Sequence, residues 1–254
     1  MEIAGRSIDV VHIAARRAGA PTLVFLHEGL GSVALWRDVP ARLAQRTGFG
    51  ALIYSCYGNG FSEVLHEPRD VAYMHDEALV ALPELLARHE ISDPILVGHS
   101  DGASIALIYA AAHPEKVRAL VLEAPHVIVE EISVASIAAI GQAYRTTSLR
   151  EKMARHHTDA DATFFGWNDI WLSPAFRSWS ILDCLPSISA PALAIQGGND
   201  EYGTLEQLTL LASGSGGKTD RLVLAGCGHS PHRDRPGFVE DAIVTWLAEA
   251  LPEG

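Results

Sequence analysis

The segment Gly98-His99-Ser100-Asp101-Gly102 carries the clearest chemistry in the chain. It matches G-x-S-x-G, follows an apolar run and opens a small-residue helical one. A sharp strand-to-helix turn lifts such a serine hydroxyl clear of the backbone, and the helix N-terminus faces the negative charge that develops on a substrate. A serine hydroxyl is a weak nucleophile and needs a base. Twelve histidines are available, so position decides. His229 lies in Gly226-Cys227-Gly228-His229-Ser230-Pro231-His232, between the last apolar strand and the last helix. Loops after parallel strands gather at one sheet edge, where Ser100 also lies. His229 is therefore the expected base, and His232 is read as a supporting or surface residue. The base needs an orienting carboxylate. Asp200, in Gln196-Gly197-Gly198-Asn199-Asp200-Glu201, stands just past a strand at the same edge. Glu201 and Glu123 are the alternatives.

A developing oxyanion needs backbone donors. One is the N–H of Asp101. The other is expected from His27-Glu28-Gly29-Leu30-Gly31, where glycines let the loop run close under a carbonyl. Gly29 is favoured, with Leu30 next to it as the alternative, and His27 reads as a structural residue holding the loop. Glu28 and Asp101 then place two carboxylates beside the oxyanion, which in a low-dielectric pocket would oppose it. The expectation is that both side chains are tied to backbone N–H groups or to a cation. The sharper reading is that one is protonated or binds a cationic or hydroxylated substrate group.

The elements that must position these residues alternate. Thr22–Leu26, Ala51–Ser55, Pro94–Gly98, Ala119–Leu122, Pro191–Gln196 and Arg221–Leu224 read as strands. Val33–Arg46, Tyr73–His89, Gly102–Ala112, Leu205–Ser213 and Pro236–Leu251 read as helices, with a kink or a boundary expected at Pro83. Arg6–Ile13 alternates weakly and suits antiparallel edge strands. Continuous apolar strands separated by helices indicate a parallel sheet covered on both faces. The rhythm breaks between Pro125 and Ser189, where helical patches (Glu130–Tyr144, Leu149–His157) replace strands. The organisation expected is a core of residues 1–125 and 189–254 with a helical cap at 126–188.

The cap holds an aromatic cluster of Phe164, Phe165, Trp167, Trp171 and Trp179. Aromatics of this kind pin a cap to a core and also line apolar clefts. Glu28, His126, Trp167 and Trp171 are the candidate pocket residues. His156 and His157 could also reach the cleft, but no zinc-protease spacing is present. No motif segment supplies an arginine clamp for a dicarboxylate, although Arg145, Arg150, Arg155 and Arg177 lie in the cap.

Composition narrows the function classes. The 254 residues carry a formal net charge of −12 with 48% hydrophobic residues. That is enough chain to bury one substantial core. An acidic surface is a poor fit to nucleic acid or anionic lipid. Cys56, Cys184 and Cys227 form no CxxC pair, and the opening residues include no signal-peptide pattern, so a cytoplasmic setting is expected. The longest apolar runs, such as Val117–Leu122, are too short to span a bilayer.

With HEGLG, GHSDG, GGND and GCGHS in this order, the chain resembles the α/β-hydrolase superfamily over nearly its whole length, in the branch with a helical cap. The resemblance implies a mostly parallel eight-stranded sheet flanked by helices, and a Ser100–His229–Asp200 triad that works through an acyl-enzyme. It implies no metal or organic cofactor. The general layout is similar to enol-lactonases, small carboxylesterases and carbon–carbon bond hydrolases. Glu28 departs from the family, whose loop commonly has glycine there. The expected activity is hydrolysis of a small ester or lactone. The alternatives are carbon–carbon or thioester hydrolysis with the same triad, and a non-catalytic small-molecule receptor on the same scaffold. The sequence leaves monomer and homodimer equally open.

Overall fold

Short apolar runs bounded by turn residues become strands here because both faces of the sheet they form are covered by helices. The structure, a computed structural model, describes residues 1–251. Its strands are β1 (Glu2–Ile3), β2 (Arg6–Ser7), β3 (Val10–Ile13), β4 (Thr22–Leu26), β5 (Gly50–Tyr54), β6 (Ile95–His99), β7 (Ala119–Glu123), β8 (Ala192–Gly197) and β9 (Thr219–Leu224). The central sheet runs β3-β5-β4-β6-β7-β8-β9, with β3 antiparallel and the other pairs parallel. It has seven strands rather than the expected eight. Ala4 and Gly5, both at positive φ, fold the chain back after two residues, so β1 and β2 form a separate hairpin.

The register sets the functional edge. Gly98 pairs with Leu26 on one side and Leu122 on the other. The loops after β4, β6 and β7 therefore leave the sheet level with one another. Side-chain alternation divides the strands between two cores: Val24 and Leu26 pack on one face, Leu23 and Phe25 on the other.

The helices are α1 (Val39–Thr47), α2 (Tyr73–Asp76), α3 (Leu82–Arg88), α4 (Asp101–Ala112), α5 (Glu131–Thr146), α6 (Leu149–Met153), α7 (Ala160–Leu172), α8 (Glu206–Gly214), α9 (Pro231–Asp234) and α10 (Pro236–Ala250). The single helix expected at Val33–Arg46 is split. A short 3₁₀ turn at Val33–Trp36 ends at Arg37 with φ 53°, and α1 begins with Pro40 in its first turn, where a missing N–H costs nothing. The expected Tyr73–His89 helix passes through a π-turn at Glu77–Ala81, and Pro83 opens the helix that follows. The π-turn absorbs the hydrogen bond that the proline cannot donate. α7 was not foreseen, although Asp159 caps it by accepting from Ala162 N at 2.9 Å.

Helices α5 to α7 follow β7, and the chain leaves the sheet there through an isolated bridge between Ile128 and Ser180. Gln207 of α8, fully buried, fastens this exit. Its Oε1 accepts from Val127 N at 2.7 Å and Ile128 N at 3.3 Å, and its Nε2 donates to Ile128 O at 3.0 Å and Glu130 Oε2 at 2.7 Å. No helix among the described residues is long and apolar enough to cross a membrane.

Candidate active site

Ser100 stands between the end of β6 and the start of α4 with φ 54° and ψ −118°, a conformation that L-residues seldom adopt. The surroundings enforce it. Ser100 N donates to Glu123 O at 2.9 Å, while Ser100 O accepts from Ala103 N and Ser104 N. A Cβ on Gly102 would come within 2.1 Å of Leu26 O, and one on Gly98 within 2.5 Å of Gly102 O. Only glycines let α4 start this close to the sheet, which is the physical content of the G-x-S-x-G spacing.

The structure brings Ser100, His229 and Asp200 together. Ser100 Oγ donates to His229 Nε2 at 3.0 Å, and His229 Nδ1 donates to Asp200 Oδ1 at 2.8 Å. A carboxylate can only accept here, so it fixes the tautomer that leaves Nε2 free for the serine proton. The turn bearing Asp200 is bonded to the histidine loop: Gly198 N donates to Leu224 O, and Asn199 N to Cys227 O. Tyr202 N adds a bond to Asp200 Oδ1 at 2.8 Å. Burial pushes the Asp200 carboxyl up, but the bond and charge of His229, the Tyr202 N–H and His126 together outweigh it, and the net direction is down.

The other two acids are engaged elsewhere. Glu201 Oε2 accepts from His229 N at 3.2 Å, a backbone contact. Glu123, 1% exposed, faces His232: Oε2 lies 3.0 Å from Nδ1 and accepts the His232 N–H at 2.9 Å. Burial raises the Glu123 carboxyl, and His232 more than reverses it. His232 is thus a buried partner of Glu123, not a surface group.

The loop after β4 is held from three sides. Cys56 N donates to His27 Nε2 at 3.0 Å, so His27 Nδ1 carries the proton that meets Glu28 O at 2.6 Å. Asn59 Nδ2 donates to Gly29 O at 3.0 Å and Gly31 O at 3.1 Å, and Arg69 in turn donates to Asn59 Oδ1 at 2.8 Å. Neither the N–H of Gly29 nor that of Asp101 meets an acceptor among the described residues. Both belong to segments that adjoin: a Cβ on Gly29 would lie 2.8 Å from Asp101 Oδ2.

Both flanking carboxylates are tied. Asp101 Oδ2 accepts from Tyr73 OH at 2.5 Å, and Trp171 Nε1 donates to Tyr73 OH at 3.0 Å. Burial nevertheless leaves the Asp101 carboxyl above its ordinary range. Glu28 lines a small cavity with Gly29, Asn59, Tyr73 and Asp101, while its carboxylate is engaged by neighbouring side chains. Its Oε1 accepts from Arg233 at 3.1 Å, and its Oε2 lies 3.4 Å from His99 Nδ1. Burial pushes Glu28 up, yet His99 and Arg233 hold it well below the usual carboxylate range.

Above the site, Trp167 Nε1 abuts Gly29, and Trp171 packs edge-on to His126 at 5.2 Å. The rings of His126 and Tyr202 lie 5.8 and 4.7 Å from that of His229. Burial drives His126 down to about 3, so it is neutral in this cluster. Among the described residues, Nδ1 of His126 and Nε1 of Trp167 have no hydrogen-bond partner. His157 does not reach this cluster, because its Nδ1 accepts from Gly60 N. Of the four cap arginines, three are occupied: Arg150 by Asp161, Arg177 by Glu131 and Arg145 by Gly141 O, while Arg155 is exposed. Tyr73, Asn59 and Arg69 were not singled out from sequence; they carry no motif and converge only through folding. Among the described residues no group of three or more His, Cys, Asp or Glu side chains is arranged to hold a metal ion.

This arrangement has relatives. A proline iminopeptidase from Lactobacillus delbrueckii subsp. bulgaricus is 22% identical, covering 89% of each chain. A 2-hydroxymuconate semialdehyde hydrolase from Pseudomonas sp. (strain CF600) is 36% identical over 107 residues, 41% of this chain and 36% of that one. Among solved structures, an esterase from Exiguobacterium antarcticum superposes with a TM-score of 0.76 at 19% identity, covering 97% of this chain and 98% of the other. The sequence profile of the α/β hydrolase fold family matches residues 21–152. The chain belongs to the α/β hydrolase fold family.

Proposed function

We propose that the protein is a serine hydrolase cleaving a small carboxylic ester or lactone. The observation that carries this reading is the unbroken path from Ser100 Oγ through His229 to Asp200, at 3.0 and 2.8 Å, on the N-terminus of α4. Ser100 attacks the carbonyl carbon as His229 Nε2 takes the hydroxyl proton. The oxyanion is received by the N–H groups of Asp101 and Gly29. His229 returns its proton to the leaving oxygen, and an acyl-enzyme remains on Ser100. Water, deprotonated by His229, then releases the acid. The aromatic surroundings (Trp167, Trp171, Tyr202) and the engagement of Arg145, Arg150 and Arg177 elsewhere favour a small uncharged acyl group. Asp101, tied to Tyr73, and Glu28, tied to Arg233, keep their charge off the oxyanion.

The 36% identity to a semialdehyde hydrolase segment supports a second reading, carbon–carbon bond hydrolysis by the same residues. Three unpaired cysteines fit a reducing compartment, and we place the protein in the cytoplasm.

The test compares wild type with Ser100→Ala on p-nitrophenyl esters from acetate to octanoate, on lactones and on a vinylogous diketone, alongside fluorophosphonate labelling. Labelling and ester turnover that both vanish in Ser100→Ala support the ester reading. Labelling with turnover of the diketone alone favours carbon–carbon cleavage. An unlabelled wild type refutes both.

A further inference from the structure

Arg69 lies in the loop that precedes α2 and belongs to no motif, yet its guanidinium is engaged with both segments that carry a free N–H. The first engagement runs through Asn59. Arg69 Nη2 donates to Asn59 Oδ1 at 2.8 Å and to Tyr57 O at 3.0 Å. Asn59 is buried and stands between Gly58 and Gly60, both at positive φ. Its Nδ2 donates to Gly29 O at 3.0 Å and Gly31 O at 3.1 Å. Carbonyls only accept, so the amide has one orientation, with its NH2 toward the Gly29 loop and its oxygen toward the guanidinium. Each link in this chain is a donor meeting an acceptor.

The second engagement runs through Tyr73. The same guanidinium lies over the Tyr73 ring, with Cζ 5.0 Å from its centroid, inside the range of a cation–π attraction. Tyr73 OH donates to Asp101 Oδ2 at 2.5 Å and accepts from Trp171 Nε1 at 3.0 Å. Arg69 and Asp101 also line one small cavity with Gly29 and Asn59. Burial raises the Asp101 carboxyl, and the Tyr73 bond, then the Arg69 charge, work against it. One side chain therefore braces Asn59 against the Gly29 carbonyl and Tyr73 against the Asp101 carboxylate. Gly29 and Asp101 are the residues whose N–H groups meet no acceptor among the described residues.

We infer that Arg69 is a positioning residue that sets the two oxyanion donors relative to one another, Gly29 through Asn59 and Asp101 through Tyr73. The inference rests on the serine-hydrolase reading above. Arg69 does not touch the reacting atoms, so its effect is geometric. A group displaced by about 1 Å from its working position can lose roughly 100-fold in rate. Outright removal of an oxyanion donor costs about 100- to 1000-fold, which bounds the effect from above.

The experiment measures the second-order rate of fluorophosphonate labelling on the full chain, with thermal melting as a fold control. The set is wild type, S100A, R69A, R69K, N59A, Y73F and the doubles R69A/N59A, R69A/Y73F and N59A/Y73F. R69A should lose roughly 10- to 100-fold in labelling rate. N59A and Y73F should each cost less in the R69A background than in wild type, since Arg69 acts through them. N59A and Y73F together should show the product of their single losses, because they hold different donors. On the p-nitrophenyl ester that wild type turns over fastest, the R69A loss should fall in kcat with KM within about threefold, since the donors act on the transition state. R69K keeps the charge beside Asp101, but its ammonium ends a bond short of Nη2. It should slow labelling at a melting temperature close to wild type, even if R69A fails to fold. Labelling by R69A and R69K at the wild-type rate overturns the inference. So do undiminished N59A and Y73F losses in the R69A background, or an R69A loss confined to KM. An unlabelled wild type instead sinks the hydrolase reading on which the inference stands.

Discussion

Replacing Asp200 by asparagine isolates the electrostatic part of the proposed mechanism. Asp200 Oδ1 accepts from both His229 Nδ1 and Tyr202 N at 2.8 Å, whereas Oδ2 meets only the Gln196 amide at 3.3 Å. An asparagine oxygen serves both donors at the Oδ1 position, and its NH2 then replaces Oδ2 opposite the Gln196 Nε2 donor, so the weak 3.3 Å bond there is lost as well. The His229 tautomer survives, and what disappears is the negative charge together with the weak bond from Gln196. When His229 takes the serine proton, its positive charge forms about 4 Å from the carboxylate, and at an effective dielectric near 20 that attraction is about 4 kcal/mol. Asp200→Asn should then lower the acylation rate about a thousandfold. Acylation is read by single-turnover release of p-nitrophenol and by fluorophosphonate labelling, with melting temperature as the fold control. Glu123→Gln is the counter-variant: its carboxylate faces His232, so acylation should fall less than tenfold. A loss under tenfold in Asp200→Asn, or an equal loss in Glu123→Gln, refutes the assignment of the orienting acid.

Three further outcomes follow from strain, burial and hydrogen bonding. Ser100→Gly relieves a non-glycine residue of φ 54° and should stabilise the fold by about 1–3 kcal/mol in urea unfolding while abolishing labelling; unchanged or lower stability contradicts the strained turn. Asp101 has a carboxyl raised by burial, so folding favours its protonated form. That contribution is present below the unfolded value near 4 and is lost as pH rises through the higher folded value. Melting curves across this range should show Asp101→Asn losing less stability on alkalinisation than wild type, and identical slopes would remove Asp101 as the source. Asp200, whose carboxyl is lowered, has the opposite sign: its contribution is present above the unfolded value and fades on acidification through the folded one, a loss that Asp200→Asn should lack.

The residues legible from sequence were those that backbone geometry constrains. The glycines around Ser100 announce a turn that nothing larger fits, and the loops after apolar strands had to meet at one edge once the sheet was parallel. Contacts between loops were not legible. Glu123 and Asp200 both follow strands near the site, and only the fold shows Glu123 turned to His232. Tyr73 reaches Asp101 from a segment some thirty residues earlier because α2 packs against α4, a fact of packing with no local signature. The break of the Tyr73–His89 pattern was marked by Pro83, but the π-turn that resolves it depends on how Glu77 and Ala78 are buried. The expected eighth strand dissolved because two positive-φ residues at the N-terminus outweighed a weak alternation.

The Gln207 clamp has a consequence for how the molecule can be rebuilt. Both ends of that amide are spent on the three residues where the chain leaves the sheet, and the clamp comes from α8, outside the helical stretch it fastens. The helices between Glu131 and Leu172 are thus tethered at a junction that their own sequence does not supply. A foreign set of helices spliced in after Glu130 would inherit this anchorage unchanged. What the clamp does not carry is the bond from Trp171 to Tyr73 beside Asp101 and those from Ser133 and Ser136 to the Asp200 loop, so an exchanged set would have to rebuild these contacts to keep the site.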